Sequence, residues 1–162
     1  MTYTEFLDNV YTWAAANAGI TVIFADQNAP RPNDPYITIK DLAIVGLGHR
    51  NTLAPDNITE ERIVKYEDEI TVSLQSYGND TVNNLQLLKE SLHKESVMLA
   101  LEEMHIVVRR EENIRNVSSQ VDNVIEKHWS YEITFGIANT IAEETGIIET
   151  AETTGIYDDY PT

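Results

Sequence analysis

The residue types that most often carry chemistry are present in this sequence, but they are scattered. The chain has four histidines, which fall in four different predicted elements and at no spacing typical of metal ligands. They are His49, His93, His105 and His128. Cysteine is absent, which excludes disulfides, thiol nucleophiles and cysteine-ligated metal centres. The sequence therefore predicts no metal site and no cofactor.

Adjacent carboxylates are common, and Glu102–Glu103 and Glu111–Glu112 are two examples. A catalytic carboxylate pair needs a cleft that raises the pKa of one of its members. With 27 acidic residues in a chain of 162, adjacent pairs also arise by chance, and we interpret them as solvated surface. Gly46 and Gly48 lack the third glycine and the following helix of a nucleotide-binding fingerprint. The chain is predicted not to be an enzyme.

The net charge of −16 excludes two classes of partner. A protein that wraps nucleic-acid phosphates needs a basic face, and docking on anionic lipids needs basic clusters. The N-terminus has no basic segment followed by an apolar run, and no stretch approaches the roughly 18 apolar residues of a membrane span. These features predict a soluble protein made in a cytoplasm.

The elements that would position functional residues follow from hydrophobic periodicity. The predicted order is helix 4–18, buried strand 20–25, strand 36–45, long strand 59–77, helix 82–94, shorter helix 96–104, short strand 106–109 and long strand 123–139. Long alternating strands with short links favour an antiparallel sheet that is polar on one face. The predicted fold class is α+β, mostly antiparallel, with helices packed on one face and two long strands projecting as a hairpin or arm.

Three segments are predicted to lie outside regular structure. Residues 26–35 contain Pro30, Pro32 and Pro35, which exclude a helix or a central strand. Residues 46–57 are polar and contain glycine, which predicts a mobile loop, and Gly78-Asn79-Asp80 is predicted to be a turn that also caps the next helix. Residues 140–162 are rich in Glu, Asp and Thr and contain no Lys or Arg, which predicts an acidic tail after a single domain at 1–139.

Two motifs resemble a family of tailed phages. The stretch from Ile20 to Pro32 ends in DQNAPRP, and PYITI follows at Pro35. Thr71 to Gly78 reads TVSLQSYG and precedes a leucine-rich helix. Both are similar to motifs of the phage neck or tail terminator proteins (gp12-like), in the same order over roughly residues 4–138. The resemblance does not extend to the acidic tail after Asn139.

The resemblance implies a structural virion protein rather than a catalyst. It implies a ring, hexameric by analogy, at the head–tail junction, which caps the tail tube and joins it to the head connector. The implied partners are other copies of the chain, the tail tube protein and the connector or head-completion protein. DNA would pass through the lumen without specific binding, and the virion would be the final location.

The interface candidates are the charged and proline-rich positions. A stiff loop loses little entropy on docking, although the same loop is also explained as a rigid link between strands. Basic residues at the end of a strand are explained either as solvated charges or as contacts to a neighbour's acidic surface. The candidates are Asp26, Gln27, Asn28, Pro30, Arg31, Pro32, Arg109, Arg110, Arg115, Glu60 and Glu61.

The lumen candidates are Glu67, Glu69 and Glu132, which lie at polar positions of two long strands. An acidic lumen would repel the duplex, whereas a basic one would trap it. Two alternatives stay open. One is a head-completion or connector protein of the same neck, and the other is a soluble small-ligand or regulatory binding module.

Overall fold

The structure is a computed structural model that describes residues 1–28, 30–52, 61–121 and 124–144. Three helices and eight strands lie in these ranges. The helices are α1 (Tyr3–Asn17), α2 (Val82–Ser91) and α3 (Glu95–Glu103). The strands are β1 (Thr21–Phe24), β2 (Tyr36–Thr52), β3 (Glu61–Tyr77), β4 (Ile106–Glu111), β5 (Arg115–Asn116), β6 (Ser119–Val121), β7 (Val124–Glu126) and β8 (His128–Glu144).

The main sheet has the strand order β1-β2-β3-β8-β4, and β5 pairs with β8 beside β4. β2 and β8 are both antiparallel to β3, β4 is antiparallel to β8, and β3 pairs with β8 over its whole length without a register shift. β6 and β7 form a separate two-stranded sheet. The α+β class and the mostly antiparallel sheet are confirmed.

The core lies between the helices and one face of the sheet. Even-numbered residues of β3 and odd-numbered residues of β8 point into it, as the predicted alternation requires. Phe135 on β8 makes edge-on ring contacts with Phe6 and Trp13 of α1, at centroid distances of 5.8 and 6.3 Å. The indole N–H of Trp13 donates to Ser91 Oγ on α2 at 3.0 Å, so the one polar atom of that ring is satisfied inside the core.

Helix α1 begins where its sequence provides a cap. Thr2 Oγ1 accepts from the Glu5 backbone N–H at 3.2 Å, and the Thr2 backbone N–H donates to Glu5 Oε2 at 2.6 Å. This reciprocal capping box satisfies two backbone donors that the first turn leaves open. It fixes the start of α1 one residue before the predicted position.

Several expectations for the elements were wrong. Residues 46–52 belong to β2 rather than to a loop, because they pair with β3 on both sides of the register shift between Gly46 and Arg50. Residues 53–60 lie outside the described ranges. β2, β3 and β8 are therefore all long, whereas the sequence predicted two long strands. β1 is a short edge strand in which only Val22 is buried, and it pairs parallel to β2 because the proline-rich segment crosses back instead of forming a hairpin.

The ends of two other elements also differ from the prediction. The N-cap of α2 is Thr81, whose hydroxyl donates back to Gly78 O at 3.2 Å, and Asp80 takes a φ of 59° before it, so neither Asn79 nor Asp80 caps the helix. β8 continues to Glu144, where it pairs with Glu61, five residues past the predicted strand end. Of the acidic tail predicted at 140–162, residues 140–144 lie in β8 and residues 145–162 lie outside the described residues, and the division at 139 stays a prediction.

Two parts of the long strands differ in burial, and we name them here. The inner segment comprises residues 36–41 of β2, 69–77 of β3 and 128–137 of β8. The outer segment comprises residues 42–52, 61–68 and 138–144 of the same strands. Ile39, Leu74 and Phe135 of the inner segment are buried, whereas Ile44 and Ile141 of the outer segment are exposed by 56% and 52%.

Candidate functional site

The sheet face opposite the helices carries the polar side chains of the long strands. Direct cross-strand partners lie on the same face, and Ser73 pairs with both Lys40 and Glu132. By the same register, Glu67 and Glu69 pair with Ala138 and Gly136. All three lumen candidates therefore lie on one face, which we call the polar face.

Three rings form a row at one end of the polar face. Tyr36 of β2 stacks on Tyr77 of β3 with centroids 4.9 Å apart, and Tyr77 stacks on His128 of β8 at 4.3 Å. The rings come from three neighbouring strands because Tyr36 pairs with Tyr77, and Tyr77 with His128. The row is an apolar floor within an otherwise polar surface.

Arg31 of the proline-rich loop crosses this row. Its guanidinium carbon lies 4.8 Å from the centroid of Tyr77 and 5.4 Å from that of Tyr36, a cation–π arrangement. Arg31 Nε donates to Tyr36 Oη, and Arg31 Nη2 donates to Glu126 Oε1 on β7. One side chain thus joins the loop, the sheet and the β6–β7 hairpin.

Burial and charge set the protonation states at this end of the face. Burial lowers the pKa of His128, and the positive charge of Arg31 lowers it further, although Glu126 opposes the change. Burial raises the pKa of Tyr36, whereas Arg31 acts in the opposite direction. Burial of Arg31 disfavours its charge, but its hydrogen bonds to Glu126 and Tyr36 outweigh this and raise its pKa. At neutral pH the row therefore consists of neutral rings under one fixed positive charge.

A cleft of about 530 Å³ opens beside the row. Its floor includes Tyr36, Tyr77 and His128, and its walls include Ile23, Phe24, Ala25, Gln27 and Pro30, with Arg31 and Glu126 at the rim. The position of Arg31 in this cleft depends on the stiff loop that carries it. The cleft has the size of a small-molecule or peptide side-chain site.

Two ion pairs bridge strands on the rest of the polar face. Arg109 Nη2 lies 2.8 Å from Glu67 Oε2, and Arg115 Nη2 lies 2.7 Å from Glu132 Oε1. The Arg109 side chain passes over Gly136, where an added Cβ would lie 2.6 Å from its Nε, so a larger residue at this crossing would displace the arginine side chain. Arg110 makes a more exposed contact of 3.3 Å with Glu112.

The structure brings some predicted candidates together and separates others. Two of the three lumen candidates pair with arginines that were predicted to contact a neighbour, and the third, Glu69, is half-buried in β3. Asp26, Gln27 and Asn28 are exposed in the proline-rich loop, as are Pro30 and Arg31, and Pro32 is half-buried. Glu60 lies outside the described residues, and Glu61 begins β3.

The sequence prediction missed the three rings of the row, Tyr36, Tyr77 and His128, and the acidic partner of Arg31, Glu126. A partial signal was present, because both tyrosines occupy strand positions of polar parity, where a large ring needs a partner on the surface. The register that places the three rings in one row connects strands about 40 and 50 residues apart in the chain. A single sequence does not contain that register.

Within the described ranges, no group of three or more His, Asp or Glu residues is arranged to hold a metal ion. His93 lies 3.8 Å from Glu111, and His128 lies in the aromatic row. None of the helices described here is long and apolar enough to cross a membrane.

Comparison with known proteins identifies one family. A family model described as phage neck terminator protein matches residues 4–159. The match extends past Asn139, where the motif resemblance ended, into the segment predicted as a tail. No curated protein matches the chain.

Proposed function

The chain belongs to the phage neck terminator family, and from that premise we propose that it forms a ring at the head–tail junction. Proteins of this family are structural components of the phage neck. We further propose that the ring is hexameric, that it caps the tail tube and that it joins the tube to the head connector. The virion neck is then its working location, after synthesis in the host cytoplasm.

The outer segment supports a role in assembly. It exposes apolar side chains on both faces of three paired strands, namely Leu42, Ile44, Val45, Ile63 and Ile141, with exposed fractions of 37–56%. Contiguous exposed apolar surface of this kind marks protein–protein contact sites. A ring of identical copies would bury it.

The polar face supports passage of DNA without binding. The Arg109–Glu67 and Arg115–Glu132 pairs neutralise the two arginines nearest the lumen candidates, and Glu69 adds a negative charge. Paired arginines release few counterions on meeting a duplex, so this part of the face gains little salt-dependent affinity for the duplex. We place this face toward the lumen and the helices outside.

Reversing charge on that face tests its position. Glu69→Lys and Glu132→Lys would each add positive charge, and particles carrying them should eject DNA more slowly if the face lines the lumen. Glu102→Lys on α3 makes the same charge change on an exposed helix and serves as the control. If the particles of both variants contain the protein and eject DNA at the wild-type rate, the polar face does not line the lumen.

The proline-rich loop and the basic residues remain proposed contact sites. Asp26 to Pro32 is held by Arg31 against the sheet, so the loop presents its exposed residues in a fixed shape. Of the three arginines, Arg110 has the most exposed side chain, at 68%, which makes it the best candidate for a contact with a neighbour's acidic surface. Glu60 and Glu61 remain the proposed partners there. Arg110→Glu should weaken ring formation.

Deletion of the gene separates the terminator role from its neighbour in the neck. A protein that ends the tube should leave tubes of uncontrolled length when it is missing. A head-completion or connector protein should leave tubes of normal length that fail to join heads. Electron microscopy of the lysate distinguishes these outcomes, and normal virions would contradict both roles.

The cleft at Arg31 favours a second candidate, a small-ligand or regulatory module. Its volume and its mixture of aromatic floor and fixed charge suit a small ligand. A ligand bound there should shift the NMR signals of His128 and Tyr77 at micromolar concentrations. Arg31→Ala particles with normal necks and normal infectivity would restrict the cleft to a role outside assembly.

A further inference from the structure

The outer segment has two strand edges without a strand partner among the described residues. β1 pairs with β2 only as far as Ile39, so the edge of β2 from Lys40 to Thr52 faces no strand. β4 pairs with β8 only as far as Ile137, so the opposite edge of the segment, Ala138 to Glu144, faces none either. Exposed backbone donors and acceptors in a strand edge are templates for pairing with another chain.

The two edges lie on opposite sides of the segment, and their strands run in the same direction. β2 and β8 are each antiparallel to β3, so they are parallel to one another. If the β8 edge of one copy meets the β2 edge of the next, the sheet continues as a parallel pair. Such a head-to-tail contact uses two different surfaces on each copy and closes into a ring when the rotation closes. Pairing of two β8 edges would instead give an isolated dimer.

The charges of the two edges favour the head-to-tail contact. Residues 42–52 of β2 include the basic residue Arg50 and no acidic residue. Residues 138–144 of β8 include Glu143 and Glu144 and no basic residue. Two β8 edges would bring like charges together, which disfavours that pairing, whereas β8 against β2 brings opposite charges together.

Regular backbone is available on both edges. β8 pairs with β3 without a register shift, so its outer edge is continuous. The shifts in β2 lie between Asp41 and Ala43 and between Gly46 and Arg50, which leaves Ala43–Gly46 and Arg50–Thr52 as regular runs. The exposed Ile44 and Ile141 belong to these two edges and would be removed from water by the contact.

We propose that residues 138–144 of one copy pair in parallel with residues 43–52 of the next copy, so that neighbouring copies share one continuous sheet. The proposal rests on the ring proposed above and specifies how its members meet. The occupant of each free edge is a second copy of this chain.

Edge-blocking variants test the contact inside assembled particles. A phage lacking the gene is complemented with wild type, Ile44→Lys, Ile141→Lys or Met98→Lys, and incorporation is measured by quantitative mass spectrometry of purified particles. Met98 lies on α3 and is exposed by 47%, so it controls for adding a lysine to an exposed apolar site. We expect each edge variant to fall by about tenfold or more, because a buried lysine opposes strand pairing, and the control to match wild type.

A charge exchange tests which edges meet. Glu143→Lys with Glu144→Lys, and separately His49→Glu with Arg50→Glu, should each reduce incorporation by about tenfold, and all four changes together should restore it to within about twofold of wild type. Circular dichroism and urea unfolding of each purified variant confirm that it folds.

The outcomes separate the two proposals. Normal incorporation of both edge variants, or failure of the fourfold variant to recover while it folds normally, overturns the edge contact and leaves the ring intact. Loss with Ile141→Lys alone overturns head-to-tail pairing in favour of a β8–β8 contact. Absence of the wild-type protein from particles overturns the proposed function itself.

Discussion

The inner and outer segments belong to the same three long strands but differ in what covers them. The three strands pair in the same order in both segments. Apolar residues alternate with polar ones in the inner parts of β3 and β8, whereas Leu42 to Val45 of the outer segment is a continuous apolar run. Helices cover one face of the inner segment, where Ile137 is exposed by only 5%. Four residues further along the same strand and on the same face, Ile141 is exposed by 52%. A strand pattern therefore predicts a face that will be covered, but it does not say whether the same chain or another one covers it.

The two ends of the polar face also differ in how firmly they hold their charged side chains. At the inner end, Arg31 is fixed by two aromatic rings and an acidic partner. Nearer the outer segment, Arg109 and Glu67 form a single exposed pair, with side chains exposed by 43% and 50%. The inner end is preorganised by the chain itself, whereas the pair nearer the outer segment is exposed to solvent, and we propose that this end is completed on assembly.

Truncating a core ring should produce the largest loss of stability, and it should show most clearly how the inner and outer segments differ in burial. Phe135→Ala removes a fully buried ring that contacts Phe6 and Trp13, and should lower the free energy of unfolding by about 3–5 kcal/mol. Ile141→Ala should change it by less than about 0.5 kcal/mol in the isolated chain, because that side chain is exposed. Urea unfolding measures the loss of unfolding free energy in each variant. Equal losses would contradict the difference in burial between the inner and outer segments.

Glycine replacement should give the next largest effect. Gly78 takes a φ of +109°, and an added Cβ would lie 3.2 Å from Asp34 Cβ, so Gly78→Ala should cost about 1–3 kcal/mol. Gly48 in the outer segment has a φ of +71° with no atom within 4 Å of an added Cβ, so Gly48→Ala should cost only the backbone strain of about 1 kcal/mol. Thermal unfolding of the two variants separates the steric contact at Gly78 from the backbone strain that both glycines share. A larger loss of stability for Gly48→Ala than for Gly78→Ala would contradict this explanation.

Removing the ion pair at Glu67 should give a smaller, salt-dependent effect. Glu67→Gln should lower stability by about 0.2–1 kcal/mol in dilute buffer, since both side chains of the pair are half exposed. Screening should remove the difference from wild type at about 1 M salt. Glu102→Gln on α3 serves as the matched control. A loss that persists at high salt would mean that Glu67 acts through packing rather than charge.

The smallest predicted effect is a pH dependence confined to the inner end. The pKa of His128 is lowered in the folded chain by burial and by Arg31, so the unfolded chain binds the proton more readily. Its contribution to stability is therefore present above the ordinary histidine pKa of about 6.5 and is lost as the pH falls below that value. His128→Asn should flatten the dependence of unfolding free energy on pH between about pH 5 and pH 7.

The control for that measurement is His93→Asn, because the His93 side chain is 67% exposed. Its unfolding free energy is measured over the same pH range. An NMR titration of His128 with a midpoint at or above about 6.5 would contradict the assignment.

Much of the secondary structure follows from local physics. The stripe of Phe6, Val10 and Trp13 determines α1, and strict alternation determines β3 and most of β8. The prediction failed at residues 46–52, where glycine and polar residues indicated a loop. Pairing with an already formed neighbouring strand holds this segment extended, and that tertiary effect overrides its weak local preference.

By itself the sequence determined the fold class, the helix-facing side of each long strand, the absence of thiol chemistry and the two motifs that led to the family. Only the tertiary structure decided that Arg31 lies across Tyr36 and Tyr77, that Arg109 pairs with Glu67, and that the outer segment has two free edges. The physical reason is the separation along the chain over which each interaction acts. Helix and strand periodicity act over a few neighbouring residues, whereas strand register and the cover over a sheet join residues tens of positions apart.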